Sequence, residues 1–498
     1  MNKISPSGAV STQTPPPVTA HKDGGRRPLA PAAWYARPAA RRWTAPPAPA
    51  AAHAFHAALP DYAPTPLVEL PTLAAELGVG RVFVKDESER FGLPAFKALG
   101  ASWALHRVLA ERGGGAAGGA GGAAGPAVEG VGAGEPAGLG PDPAGARAGA
   151  TVGPAGAAGP VTFVTATDGN HGRAVARVAR LLGQRAHVFV SRGVHPTAVA
   201  AIEGEGARVT RVAGPYDLAV REAARAAEDA GGAAATGDTA ATGEAGSGAD
   251  TGGGPDPGAS PTVLVQDSGR PGYERIPGWI VEGYATLFAE VDAQLAAAGA
   301  GAPDLVAVPV GVGSLAQAAV THYRAPGPDG GAGAGPALLA VEPEVAACVL
   351  ESLRRGERVS IATGDTAMAG LNCGTPSSLA WPALRAGLDA AVAVSEEQGA
   401  RAVRDLAALG VSSGPCGAAS LAGVRAALTG EGAADRRAAL GLGPEATLVL
   451  LSTEGTAANP HGQDTTDPHG QAPAAYEPET HPHEPDTHPY GPGTHPEA

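Results

Sequence analysis

Two hydrophobic patterns recur along this chain. Short runs of apolar, largely β-branched residues fall at Val82–Lys85, Val161–Thr165, Ala186–Val190, Arg208–Val212, Val263–Gln266, Leu305–Pro309, Leu338–Val341 and Thr447–Leu451. Most are continuous rather than alternating, the pattern of strands covered on both faces of a parallel sheet. Between them the spacing changes to that of amphipathic helices, at Phe96–Glu111, His171–Leu182, Pro196–Glu205, Tyr216–Ala230, Ile276–Ala298, Ser314–Tyr323, Pro343–Arg354, Glu396–Leu409 and Gly417–Leu428. Strand alternating with helix predicts an α/β protein of open, mostly parallel twisted sheets flanked by helices. Ligands of such sheets bind where the carboxyl ends of strands lead into helices.

Other stretches have neither period. Residues 1–50 are rich in Pro, Ala and Ser and read as a disordered leader. Residues 113–160 and 231–260, with a shorter copy at 325–336, are dominated by Gly, Ala and Pro and read as disordered insertions at loop tips. From 457 to 498 the chain repeats His-Pro units and reads as a disordered tail, with no rigid spacing to present two imidazoles to a metal. The remainder divides into a larger domain, 51–97 with 261–456, and a smaller α/β domain, 98–230.

Charge and cysteine content narrow the function classes. A net charge of −14 argues against nucleic acid, which needs a concentrated basic surface. Cys348, Cys373 and Cys416 are too few and too scattered for a disulfide framework or a Cys-x-x-Cys metal site, and fit a reducing cytosol. No apolar run has the length of a membrane span. The expectation is a soluble cytoplasmic protein with no nucleic-acid, membrane or metal partner.

Lysine is the scarcest basic residue. Of 35 lysines and arginines only Lys3, Lys22, Lys85 and Lys97 are lysine. Arginine replaces a bare cation, but not a primary amine that must lose its proton and attack a carbonyl. Lys97 opens a helical pattern, where a solvated lysine is also ordinary. Three loops at strand ends change that balance. Thr165-Ala166-Thr167-Asp168-Gly169-Asn170-His171-Gly172 offers N–H groups and hydroxyls to a carboxylate, and Asn170 as a donor to a phenolate-like oxygen. Its Asp168 reads either as a group for proton transfer or as a helix N-cap. Gly311-Val312-Gly313-Ser314-Leu315 at a helix start reads as a phosphate cradle, without the Lys of a Walker loop. Ser452-Thr453-Glu454-Gly455 closes the last strand with hydroxyls that suit a ring nitrogen. Amine, cradle, amide donor and hydroxyl together are what pyridoxal 5′-phosphate requires.

In these motifs the chain resembles the fold type II family of pyridoxal-phosphate enzymes and, within it, the diaminopropionate ammonia-lyases. The matching stretches include Phe91-Gly92-Leu93-Pro94-Ala95-Phe96-Lys97, Thr167-Asp168-Gly169-Asn170-His171-Gly172-Arg173, Gly272-Tyr273-Glu274-Arg275-Ile276-Pro277-Gly278-Trp279 and Ser452-Thr453-Glu454-Gly455. The resemblance implies that Lys97 carries the cofactor, Asn170 binds its ring oxygen and residues 311–315 its phosphate. Ser452, or less readily Thr453, would face the pyridine nitrogen. Asp168 would be a second base opposite Lys97, so that either enantiomer can lose its α-proton. Asp267 would sit near the distal amine of the substrate, with Thr167, Gly169, His171 and Tyr273 also around the substrate. The implied reaction converts 2,3-diaminopropionate to pyruvate and ammonia in a homodimer. The chain departs from the family at Ser268-Gly269-Arg270-Pro271, where a Trp and a Glu are usual, and at Ser412-Ser413-Gly414-Pro415-Cys416-Gly417. A serine or threonine dehydratase of the same fold, or a non-catalytic homologue, are the alternative readings.

Overall fold

The computed structural model describes residues 33–46, 49–59, 62–114, 160–167, 169–214, 216–230, 260–326 and 335–458. The segments set apart by composition as insertions and tail, and Asp168, lie almost wholly or wholly outside these residues.

In chain order the strands are β1 (Trp34–Ala36), β2 (Leu67–Glu69), β3 (Arg81–Asp86), β4 (Thr162–Thr167), β5 (Arg185–Val190), β6 (Arg208–Arg211), β7 (Thr262–Leu264), β8 (Leu305–Pro309), β9 (Ala337–Pro343), β10 (Ala390–Val394) and β11 (Thr447–Ser452). They form two sheets, ordered β1-β10-β9-β8-β11-β3-β2 and β6-β5-β4-β7. In the first, the five inner strands are parallel and the edges β1 and β2 antiparallel. The second is wholly parallel. Every residue of β8, β9, β10 and β11 is buried, as continuous apolar runs require.

Two expected boundaries are corrected. β7 pairs with β4, so the smaller domain extends past residue 261 instead of ending at 230. The leader is also not without structure throughout. Trp34 pairs with Val392 in β10, and Arg41 reaches the buried Asp389 at 3.0 Å, where Arg324 also ends at 2.5 Å. A buried carboxylate with two guanidinium partners holds this edge strand in place, an interaction that composition does not reveal.

Two features place Lys97. It begins the helix Lys97–Gly114, which packs on the helix Arg275–Ala297 where Gly283 meets Gly100. A Cβ on Gly283 would lie 2.5 Å from the Leu99 carbonyl oxygen, and one on Gly100 would lie 2.7 Å from the Ile280 and Tyr284 side chains. Glycine on both sides therefore lets the first turn after Lys97 press against its neighbour. The loop before it is held from below by a buried ionic cluster. Arg90 donates to Glu87 and Glu290, Lys85 donates to Glu290, and the Thr65 hydroxyl donates to Glu87. All four charged side chains are at most 1% exposed. Phe91 in this loop has φ 54°, and Arg177 from the smaller lobe donates to its carbonyl at 3.1 Å.

Candidate active site

A cleft of about 1290 Å³ opens between the sheets, at the carboxyl ends of β4, β8 and β11. It gathers residues far apart in sequence: Lys97, Asn170, Asp267, the 311–315 loop and Thr453 all line it.

The Lys97 amine donates to Asp267 Oδ2 at 2.6 Å. Burial disfavours the charged amine, but the Asp267 carboxylate outweighs it and holds the Lys97 pKa above its ordinary value. Burial likewise pushes Asp267 up, and the Lys97 ammonium overrides this and holds it well below the carboxylate range. Asp267 is placed by neighbours on both sides. Ser314 donates to its carbonyl at 3.0 Å, tying it to the glycine loop. The Tyr273 hydroxyl accepts from the Gln266 N–H at 2.8 Å and donates to the Leu264 carbonyl at 2.9 Å. Tyr273 is therefore not where a substrate contact was expected: its hydroxyl is engaged by backbone, and it is not among the residues lining the cleft.

His171 does reach the cleft. Its Nε2 lies 2.9 Å from the Val265 carbonyl and must donate to it, which leaves Nδ1 as an acceptor in the neutral ring. Burial lowers its pKa and favours that neutral form. Nδ1 is buried with no hydrogen-bond partner among the described residues, 4.0 Å from Asp267 Oδ2. Thr167 and Gly169 also line the cleft, but the Thr167 hydroxyl is spent on the loop itself, accepting from the Gly169 and Gly172 N–H groups at 2.9 Å each. Gly169 has φ 145°, a conformation that side chains rarely adopt.

The 311–315 loop fits a phosphate. It runs into the helix Ser314–Tyr323, whose first-turn N–H groups lack intrahelical carbonyls and carry the positive end of the helix dipole. Gly313 has φ 101°, and a Cβ on Gly311 would stand 2.9 Å from the Gly370 carbonyl oxygen and 3.0 Å from Cys373 Sγ. The loop can take this shape only with glycine at both positions. Amine, amide and cradle share one cleft, and the donor set fits pyridoxal phosphate.

Ser452 is displaced from its expected place. It is 0% exposed, donates to Ser413 Oγ at 2.8 Å, and is not among the cleft-lining residues. Successive side chains alternate faces at a strand end, and Thr453 is the hydroxyl that lines the cleft. Sequence reasoning also passed over Glu454, Cys416 and Cys373, which line it too. The only signal for Glu454 was its place within Ser452-Thr453-Glu454-Gly455; the cysteines carried none. Among the described residues no group of three His, Cys, Asp or Glu side chains is arranged for a metal, and no helix is long and apolar enough to cross a membrane.

Comparison with known proteins points to the same cofactor. The family described as "Pyridoxal-phosphate dependent enzyme" matches residues 146–443. A diaminopropionate ammonia-lyase from Salmonella typhimurium is 32% identical over 411 residues, 81% of this chain and 87% of that one. One from Escherichia coli is 32% identical over 337 residues, 67% of this chain and 68% of that one. A crystal structure of the Escherichia coli enzyme in complex with an aminoacrylate-PLP azomethine reaction intermediate superposes with a TM-score of 0.62 at 28% identity, covering 83% of this chain and 90% of that one. The chain belongs to the diaminopropionate ammonia-lyase family of pyridoxal-phosphate dependent lyases.

Proposed function

We propose that this protein eliminates ammonia from 2,3-diaminopropionate, yielding pyruvate and a second ammonia, with its cofactor joined to Lys97. The observation that carries this reading is the Lys97–Asp267 pair at 2.6 Å in a cleft that also presents Asn170 and the glycine loop. The cofactor, when bound, supplies the sink for the electron pair left at the α-carbon. The chain supplies the rest. The N–H groups of 311–315 would hold the phosphate, Asn170 would meet the ring oxygen, and the Thr453 hydroxyl would take the role expected of Ser452 toward the ring nitrogen.

With Lys97 engaged by the cofactor, Asp267 Oδ2 would lose its present partner. A carboxylate left in a partly buried cleft favours a cation, and the distal ammonium of the substrate is one. His171 Nδ1, 4.0 Å away and without a hydrogen-bond partner among the described residues, adds a second acceptor to the same place. A hydroxyl substrate such as serine brings no charge to Asp267. The Lys97 amine would be the base on one face of the α-carbon. Asp168, outside the described residues, is assigned the opposite face through the resemblance alone. A homodimer in the cytoplasm completes the reading; sedimentation of the purified protein tests the first part.

The deciding experiment is turnover of D- and L-diaminopropionate against D- and L-serine, with absorbance spectra of the loaded enzyme. Both diaminopropionate enantiomers should outrun serine. Replacing Asp168 with Asn should harm one enantiomer far more than the other, by about 10²–10⁴-fold. Equal loss for both would refute the two-base assignment, and faster turnover of serine would favour a dehydratase.

A further inference from the structure

One buried acid in the cleft has no task in the reaction described so far. Glu454 is 3% exposed and lines the cleft beside Thr453. Its Oε2 accepts from Asn170 Nδ2 at 2.7 Å, and its Oε1 accepts from the Cys416 N–H at 3.1 Å. Its backbone is tied on both sides. It bridges to Ala95, two residues before Lys97, and its carbonyl accepts from the Gly414 N–H at 2.9 Å. Gly414 makes room for the carboxylate, since a Cβ there would stand 2.9 Å from Oε1. A buried carboxylate is costly unless it is hydrogen-bonded, and this one is held by one side-chain amide and one backbone N–H.

The arrangement answers a geometric problem. A side-chain amide has an acceptor end and a donor end of nearly the same shape, and only the donor end serves a cofactor oxygen that carries negative charge. An ionised carboxylate accepts and cannot donate. Beside Glu454, the amide of Asn170 must turn Nδ2 toward the acid, and the second N–H of that nitrogen is left for the cleft. Burial holds the Glu454 pKa above its ordinary value, and the Cys416 and Asn170 donors and the nearby Lys97 charge only partly offset this.

We propose that Glu454 is a positioning residue for the cofactor: it fixes the Asn170 amide donor-first toward the cofactor's ring oxygen and places a negative charge behind it. The proposal rests on the reading of Asn170 given above. Glu454→Gln keeps the shape but can offer either end of its own amide, so the direction of Asn170 is no longer fixed.

The test is a titration of the purified apoprotein with pyridoxal phosphate, followed by a pH titration of the visible absorbance of the lysine-bound cofactor. Glu454→Gln should bind the cofactor about tenfold more weakly, the scale of a hydrogen bond to a charged group. Loss of the nearby negative charge should also move the absorbance midpoint to lower pH, by about one unit. In an Asn170→Ala background, Glu454→Gln should add little to the loss of affinity, because the two act through one contact. Glu454→Asp keeps the charge with a shorter reach; it should show the affinity loss with a smaller midpoint shift, and it serves if the Gln variant does not fold. Unchanged affinity and midpoint in the folded variants, with only a lowered melting temperature, would make Glu454 a structural acid and overturn the proposal. So would a full tenfold loss in the absence of Asn170. A wild-type protein that develops no visible absorbance with the cofactor would instead overturn the underlying assignment of the cleft.

Discussion

Two lysine–carboxylate pairs lie in the larger lobe, and their lengths do not tell them apart. Lys85 meets Glu290 at 2.6 Å, and Lys97 meets Asp267 at 2.6 Å. What differs is how much of each amine is used. An ammonium has three donors. Those of Lys85 reach Glu290, the Thr65 carbonyl at 2.8 Å and Gln294 Oε1 at 2.9 Å, and its side chain is 0% exposed. Lys97 makes its single hydrogen bond among the described residues to Asp267, and its side chain is 23% exposed toward the cleft. Burial lowers the Lys85 pKa, whereas the Lys97 pKa is raised. A perturbed lysine is therefore not by itself the mark of a functional site. The fully satisfied pair holds the chain that leads to the site; the unsatisfied one is the site.

The comparison breaks most visibly by removing each amine in turn. Lys97→Ala should reduce turnover to background and abolish the visible absorbance of the loaded enzyme, while urea unfolding stays cooperative. Lys85→Met should do the reverse. Removing one partner of a buried ion pair costs about 3 kcal/mol or more, read as a lower urea midpoint, while the protein that remains folded turns over near the wild-type rate. A stable but inactive Lys85→Met would show that the two lysines are not separable in this way. Asp267→Asn is the next largest effect expected. Turnover of diaminopropionate should fall about 10²-fold, and that of serine should fall much less because serine presents no distal cation. An equal fall for both would place Asp267 at a step that the two substrates share.

The contrast also shows what the amino-acid order alone could carry. Buried inner strands were legible because their apolar runs are continuous; β8 begins and ends where the pattern puts it, at Leu305 and Pro309. β10 was not, because Ala390–Val394 reads Ala-Ala-Val-Ala-Val, and its three alanines carry little β signal of their own. Its strand character comes from pairing with β9 and β1. Lys97, Asn170 and the 311–315 loop could be singled out as candidates because special residues stand where loops run into helices, and the structure brings them to one cleft. Ser452 and Tyr273 do not line that cleft for one reason: a motif names a residue, but the direction of its side chain depends on the partners the fold gives it, here Ser413 and the backbone of 264–266. Glu454 escaped notice because its meaning lies in Asn170, 284 residues before it.

The smallest effect expected concerns a third ionic group, on the smaller lobe. Glu205 accepts from Arg177 and Arg180 at 2.7 Å, with Arg173 at 3.6 Å. Burial pushes its pKa up, but the guanidinium partners prevail and bring it to about 2. Glu290, in the structural cluster, is held at about 2 by Arg90 and Lys85 against the same opposing effect of burial. For each, the folded pKa lies below that of the unfolded chain. The unfolded state therefore binds more protons between about pH 4.5 and 2, and stability rises with pH across that window. The contribution is present at neutral pH and is lost as pH falls through about 2. Glu205→Gln removes one such group, so its melting temperature should lie below wild type at pH 7 and converge on it near pH 2. Arg180 is 53% exposed, so solvent screening limits the difference at pH 7 to about 1 kcal/mol. Because Glu205 lies outside the cleft, the pH dependence of turnover in the folded range should not move. A variant that shifted the turnover profile without changing the acid limb of the melting curve would mean that Arg177, freed from Glu205, no longer steadies Phe91 and the loop that delivers Lys97.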